Sequence, residues 1–210
     1  MAIDDLLDEH EQSERVLAWL RANGAGLVGG VALGLALILG WQWWGGQQAA
    51  SKMKAGDDYQ AVLKSIEGKD LKKAQSQASA LAGTTYATLA AFDIAKSQVE
   101  SGQRDAAIAT LKSVKPTDAG MQSIANQRLA RLLLDAGKHE EVLTVLGAAD
   151  DAASQELRGD AQALLGKQAE ARTSYSAALA RIDVASPQHR LVELKLIAVG
   201  GVPAKPEART

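Results

Sequence analysis

The feature that most constrains this chain is a run without any charged side chain, over residues 22–51. Charged residues make up 23% of the whole sequence, so such a run is a marked change in composition. As a helix with a rise of 1.5 Å per residue, residues 22–44 would extend roughly 35 Å, more than the hydrocarbon thickness of a bilayer. The sequence therefore predicts one transmembrane helix over residues 22–46. Tryptophan favours the membrane boundary, and three such anchors follow the apolar centre: Trp41, Trp43 and Trp44.

The segment before this helix is acidic. Residues 1–21 hold six carboxylates against two arginines, whereas a cleaved signal peptide begins with a basic region, so we interpret the span as a retained anchor. Residues 4–21 are compatible with a short amphipathic helix or with a solvated tail, and Asn23 and Gly24 are expected to break or kink the helix before the span. Lys and Arg are balanced on the two flanks, so charge alone leaves the orientation open. The predicted divisions are an acidic segment 1–21, the span 22–46, a linker 47–56, a helical domain 57–199 and a disordered tail 200–210.

The region after the linker is rich in alanine and poor in aromatic residues, which favours helices over strands. Apolar residues recur at helical spacing, and turn glycines stand at Gly68, Gly102, Gly137 and Gly166, separated by 34, 35 and 29 residues. A helix–turn–helix unit recurring near every 34 residues is typical of tetratricopeptide repeats. A generic helical bundle is the alternative. The predicted fold is all-α, with antiparallel helix pairs stacked into a repeat superhelix and a C-terminal capping helix from about residue 187.

One copy of the repeat fits the pattern well. It has a small residue where its two helices cross, an alanine twelve residues later, an aromatic residue after four more and an alanine after three more. We expect these four residues to pack the two helices together: Gly159, Ala171, Tyr175 and Ala178.

Sites of catalysis and ligand binding are not apparent. The chain has no cysteine, its three histidines lie in separate segments, and no phosphate-binding loop or serine nucleophile elbow occurs. The net charge of −2 gives no basic field for nucleic acid. We therefore predict no enzyme activity, no cofactor, no metal site and no nucleic-acid partner. One interaction feature lies in the span, where small residues at every fourth position would allow close approach of another membrane helix: Gly26, Gly30 and Gly34.

The acidic N-terminus is followed by Trp19-Leu-Arg-Ala-Asn-Gly24, by a glycine-rich span ending Gly40-Trp-Gln-Trp43, and by repeat segments Tyr86–Ala95, Asn126–Arg131 and Leu157–Ala161. In their order and spacing, these segments resemble the YfgM family of ancillary SecYEG translocon subunits. The resemblance covers nearly the whole chain except the last ten or so residues.

The resemblance implies a bacterial inner-membrane protein with a cytoplasmic N-terminus and a periplasmic repeat domain. It implies association with the SecYEG translocon, with a membrane-anchored prolyl-isomerase-like periplasmic chaperone and with newly translocated, unfolded chains. Alternatives are a membrane-anchored scaffold for assembling another periplasmic complex and a cytosol-facing adaptor. First helices of repeat pairs usually line the concave surface, which gives five polar candidates for binding: Gln98, Gln127, Arg128, Arg131 and Gln162.

Overall fold

A computed structural model describes the backbone of residues 2–203 and the side chains of residues 13–203. Within that part, the chain forms nine α-helices and one short 3-10 turn, Ser79–Leu81. It divides into two compact units, Met1–Lys54 and Ala55–Thr210. The helices are α1 Ala2–Glu67, α2 Leu71–Ala78, α3 Thr85–Glu100, α4 Arg104–Ser113, α5 Ala119–Asp135, α6 His139–Leu146, α7 Ala152–Leu164, α8 Gln168–Leu179 and α9 Pro187–Ala198.

Helix α1 runs without interruption through the predicted span and the predicted linker. The expected break at Asn23 and Gly24 is wrong, because the Asn23 side-chain amide donates to the carbonyl of Trp19 at 3.0 Å, inside a continuous helix. A glycine in a helix costs about 1 kcal/mol relative to alanine, which is too little to end it here. Residues 47–56, expected as a linker, are also helical.

The first unit contains a stretch that is long and apolar enough to cross a membrane. Its large side chains are exposed, with Leu33 at 66% and Trp41 at 74% of full exposure. The side chains of residues 4–12 in the predicted amphipathic segment lie outside the described ones.

Helices of the second unit pair through four turns of the same design. Each turn has three residues, and its middle residue has a positive φ: Lys69, Gly102, Gly137 and Gly166. The amide that follows this residue donates back to a carbonyl five positions earlier, for example from Lys138 to Leu133 at 2.8 Å, and so closes the helix end. The turn after α1 was assigned to Gly68 from sequence, but the left-handed residue there is Lys69, with φ 59°.

Apolar side chains of this unit form three core clusters. The end of α1 packs with α2 and α3 around Val62, Leu81 and Ile94. A larger cluster contains residues of helices α3 through α7 and centres on Leu133 and Val142, both fully buried. The third cluster joins α8 to α9. The all-α repeat fold predicted from sequence is confirmed.

The last repeat pair, α7 and α8, crosses at Gly159. A Cβ added at this glycine would lie 2.6 Å from the ring of Tyr175, so the two helices approach too closely there for any side chain. Ala171, Tyr175 and Ala178 are buried, and Val192 and Leu196 of α9 pack against them. Helix α9 therefore covers the apolar face of α8, as a capping helix does.

Helix α9 ends as the earlier first helices do. Gly200 has φ 77°, and the amide of Gly201 donates to the carbonyl of Leu196 at 2.9 Å. Gly200 stands 34 residues after Gly166, so α9 occupies the place of the first helix of a further repeat. Residues 204–210 of the predicted disordered tail lie outside the described residues.

Candidate interaction surface

The five polar residues predicted for the concave surface divide into two groups. For Gln98 the structure contradicts the prediction of a binding residue. This residue is only 2% exposed, and its side-chain oxygen accepts a hydrogen bond from Thr110 at 2.8 Å. Gln162 makes the equivalent bond in the last repeat pair, accepting from Ser174 at 2.7 Å. Both glutamines therefore tie the first helix of a pair to the second, and Gln98 is not available to a partner.

The side chain of Gln127 also makes a hydrogen bond between helices. Its amide donates to Asp151 at 2.9 Å, and Asp151 caps the start of α7 by accepting from the backbone amide of Ser154. Burial opposes the charge of Asp151, but hydrogen bonds from Ser154 outweigh it and lower the pKa of this carboxyl. Gln127 thus joins α5 to the cap of α7.

The side chains of Arg128 and Arg131 are exposed. They border a cleft of about 470 Å³ between α3 and α5, which we call the α3–α5 cleft. Its lining is largely apolar, and its residues are Phe92, Ala95, Lys96, Val99, Glu100, Leu111, Arg128, Arg131 and Leu132.

The cations of the α3–α5 cleft are only lightly engaged. The guanidinium of Arg128 lies over the ring of Phe92, 4.2 Å from its centroid, a cation–π contact that fixes the group in place. Lys96 lies 3.9 Å from Glu100 in an exposed pair of the same helix. Among the described residues, no ion pair or hydrogen bond of the Arg131 side chain is found. The cleft therefore carries a net positive rim above an apolar floor.

A second cleft, of about 670 Å³, opens between α5, α7, α8 and α9, and we call it the α5–α9 cleft. Arg131 borders this cleft as well as the α3–α5 cleft. The carboxylates of Glu156 and Asp160 are paired here. The Nζ of Lys195 donates to Glu156 at 2.7 Å and to Asp160 at 2.8 Å, Gln188 donates to Glu156 at 2.7 Å, and Tyr175 donates to Asp160 at 2.8 Å.

Burial and these contacts shift the pKa values of Tyr175 and Lys195. Burial raises the pKa of the Tyr175 hydroxyl, and the nearby Asp160 carboxylate raises it further. Burial alone would lower the pKa of Lys195, but hydrogen bonds to Asp160 and Glu156 more than offset it, so the net shift is upward. The lysine stays charged and locks α9 to α7.

The residues predicted for the membrane helix lie in the first unit. A Cβ placed at Gly26, Gly30 or Gly34 would meet no other atom within 4 Å, so this small-residue face is uncovered. Trp41 and Trp44 stack edge to face with their centroids 5.9 Å apart. The side chains of both are more than half exposed.

Sequence reasoning did not find the contacts that shape the clefts. Phe92 and Arg128 are 36 residues apart, and Lys195 is 39 residues from Glu156. The repeat period was the available signal, because residues on successive first helices become neighbours when repeats stack. Among residues 13–203, no cluster of three or more potential metal ligands occurs.

Comparison with known proteins covers almost the whole chain. A family described as tetratricopeptide repeat-like domain matches residues 17–201. A protein of Escherichia coli K12 named ancillary SecYEG translocon subunit is 28% identical over 197 residues, covering 90% of this chain and 95% of that protein. A protein of the same name in Haemophilus influenzae is 26% identical over 181 residues, covering 82% and 89%. These findings confirm the resemblance seen in the sequence.

Proposed function

Because this chain belongs to the tetratricopeptide repeat-like family, we propose that it is a non-catalytic, membrane-anchored accessory subunit of the SecYEG translocon. The observation that carries the proposal is the match along nearly the full length to relatives that bear this name, in a chain with one apolar helix suited to a membrane. Repeat stacks of this class act by presenting an extended binding surface, which the first helices of the second unit would form here.

The orientation in our proposal places the acidic N-terminus in the cytoplasm and the repeat unit in the periplasm of a bacterial inner membrane. The partners are then the translocon within the membrane, a membrane-anchored prolyl-isomerase-like chaperone and unfolded chains as they emerge. Tethering at the exit site raises the local concentration of a weak binder, so modest affinity is sufficient for this role. The small-residue face of Gly26, Gly30 and Gly34 is the proposed contact with another membrane helix.

Affinity purification of the full-length protein from mild-detergent membranes, followed by mass spectrometry, tests the proposal. We expect enrichment of the translocon core and of a periplasmic chaperone. Enrichment of a different complex, without the translocon, would refute the accessory role and favour a scaffold for that complex.

The membrane contact has a matched pair of variants. Gly30→Leu fills the small-residue face, whereas Gly29→Leu adds the same bulk on another side of the helix. Both sites are open, so neither change disturbs the folded chain. We expect Gly30→Leu to reduce translocon recovery and Gly29→Leu to leave it unchanged. Equal recovery with both variants would remove this face from the proposal.

The orientation can be tested with one introduced cysteine, since the chain has none. Ser176 is exposed and suitable, whereas the neighbouring Ser174 is only 5% exposed. We expect a membrane-impermeant thiol reagent to label Ser176→Cys in intact spheroplasts. Protection until the cells are lysed would contradict a periplasmic repeat unit.

A further inference from the structure

The α3–α5 cleft combines two kinds of surface that polypeptides recognise together. Its floor is formed by apolar groups, including Phe92, which is buried, and Val99, which is 42% exposed. Its rim holds Lys96, Arg128 and Arg131 against a single carboxylate, Glu100. Exposed apolar surface of this kind is a common mark of an interaction site when polar groups border it.

The positive charge of this rim is not used to hold the fold together. Arg128 and Arg131 are three residues apart on α5, a spacing that places two helical side chains side by side. The nearby carboxylate of Asp135 is engaged by Arg104 at 2.8 Å. Two guanidinium groups therefore border the cleft without an ion pair among the described residues: Arg128, held in place over Phe92, and Arg131, which lies between this cleft and the α5–α9 cleft.

The chemistry of the cleft sets what can bind there. A guanidinium presents a planar fork that matches a carboxylate, and a group held in place loses little entropy on binding. A volume of about 470 Å³ is within the range of sites for small ligands and admits a large side chain together with a neighbouring polar one. The α3–α5 cleft therefore suits an apolar side chain with a carboxylate beside it.

We propose that the α3–α5 cleft binds extended polypeptide at positions where a large apolar residue adjoins an aspartate or glutamate. This inference rests on the proposed function, because it specifies which segments of an unfolded chain the repeat unit would hold. It assigns the apolar residue to the floor beside Phe92 and Val99, and the carboxylate to Arg128 and Arg131. A lysine in place of the acid would be repelled by the same rim.

The test uses the full-length protein in detergent and fluorescein-labelled Gly/Ser peptides that differ at two central positions. The pairs are Phe-Glu, Phe-Lys and Ala-Glu, and binding is measured by fluorescence anisotropy. We expect the Phe-Glu peptide to bind at least about tenfold more tightly than the other two, since each loses one half of the recognition. Binding of Phe-Glu should weaken as salt is raised.

Charge reversal in the protein provides the decisive comparison. Arg131→Glu removes a rim cation without disturbing the core, since the side chain is exposed. Lys73→Glu is the matched control, an equal charge change at an exposed residue of α2 outside the cleft. We expect Arg131→Glu to lose the Phe-Glu preference and gain affinity for Phe-Lys, and Lys73→Glu to behave as the unchanged protein. Val99→Ser should weaken binding of every Phe-containing peptide.

Two other outcomes would overturn the inference and can be told apart. If the protein binds a reduced, carboxymethylated model chain but does not distinguish the peptides, and Arg131→Glu has no effect, the cleft is not the site although the proposed function stands. If neither the model chain nor any peptide binds, direct binding of unfolded chains fails together with this inference.

Discussion

The two clefts of the repeat unit share α5 and Arg131 but differ in how their charged side chains are paired. In the α5–α9 cleft, Lys195 joins Glu156 and Asp160, so its charges hold neighbouring repeats together. In the α3–α5 cleft, Arg128 and Arg131 have no such carboxylate partners among the described residues. The same repeat scaffold therefore supplies one cleft whose carboxylates are held by Lys195 and one whose guanidinium groups have no ion pair among the described residues.

The difference shows where sequence variation is constrained in such a scaffold. All four turns share one backbone design, although the residue at the left-handed position differs once. Side chains on the first helices are free to serve either the stacking of repeats or a ligand. Substitutions in the α5–α9 cleft should therefore change the free energy of unfolding more than substitutions in the α3–α5 cleft. The affinity for polypeptide should show the reverse order.

The largest stability effect is expected beneath the α5–α9 cleft, at Gly159→Leu. The new side chain would overlap the ring of Tyr175, which also donates to Asp160, so α7 and α8 must move apart. We expect a loss of about 3 kcal/mol in the free energy of unfolding, measured by urea unfolding with circular dichroism. The control is Gly56→Ala, whose added Cβ meets only an ordinary contact at 3.7 Å and improves helix propensity. If Gly159→Leu changes the free energy of unfolding as little as Gly56→Ala does, the tight crossing is contradicted.

Lys195→Met tests whether the charges of the α5–α9 cleft are structural. The change leaves Glu156 and Asp160 facing each other without their cation, so we expect a loss of about 2 kcal/mol. Arg131 makes no ion pair among the described residues, so Arg131→Met should change the free energy of unfolding by less than about 0.5 kcal/mol. Similar losses from both variants would abolish the distinction between the clefts.

The first turn offers a stabilising change. Lys69 adopts a left-handed conformation that glycine accepts without strain, and Gly102 occupies the same place in the next turn. We expect Lys69→Gly to raise the free energy of unfolding by about 0.5 kcal/mol and Gly102→Lys to lower it by about 1 kcal/mol. A loss of stability in Lys69→Gly, or a gain in Gly102→Lys, would show that the two turns are not alike.

The smallest effect concerns alkaline pH and the partly buried Tyr59. Tyr59 donates to Asp93 at 2.6 Å, and burial together with this bond raises the pKa of Tyr59 from 10.0 to about 12. A raised pKa stabilises the folded state below pH 10, and this contribution is lost as the pH rises through about 12. The stability gap between the unchanged protein and Tyr59→Phe should therefore be smaller at pH 11 than at pH 8. A constant gap across this range would contradict the assignment. Tyr175 keeps its own alkaline response in both proteins.

The fold was largely accessible from the sequence because its signals are local. Glycines that end helices and apolar residues at helical spacing identify the pairs, and residues 22–51 identify the span. The left-handed conformation of Lys69 could not be predicted, since lysine rarely adopts it and the adjacent Gly68 is the more usual residue for such a turn. The continuity of α1 was not predicted either. Asparagine and glycine are common in turns, but one of each does not end a long helix.

The candidate site was less accessible because it depends on contacts between repeats. Gln98 and Arg131 are both polar residues on first helices, yet one bonds to Thr110 in the interior and the other faces the cleft. Only the packing of α3 against α4 and α5 separates them. A repeat period predicts which helices become neighbours, but not which side chains satisfy one another.

Site-specific photo-crosslinking in cells tests the central claim most directly. A photoreactive residue would replace Val99 in the α3–α5 cleft, and in a second strain Leu164 in the α5–α9 cleft. Both are exposed, at 42% and 61%, so both variants should fold. With a secreted chain stalled in translocation, we predict adducts to that chain from position 99 and far fewer from position 164. Equal adducts from the two positions, or none from position 99, would contradict the account.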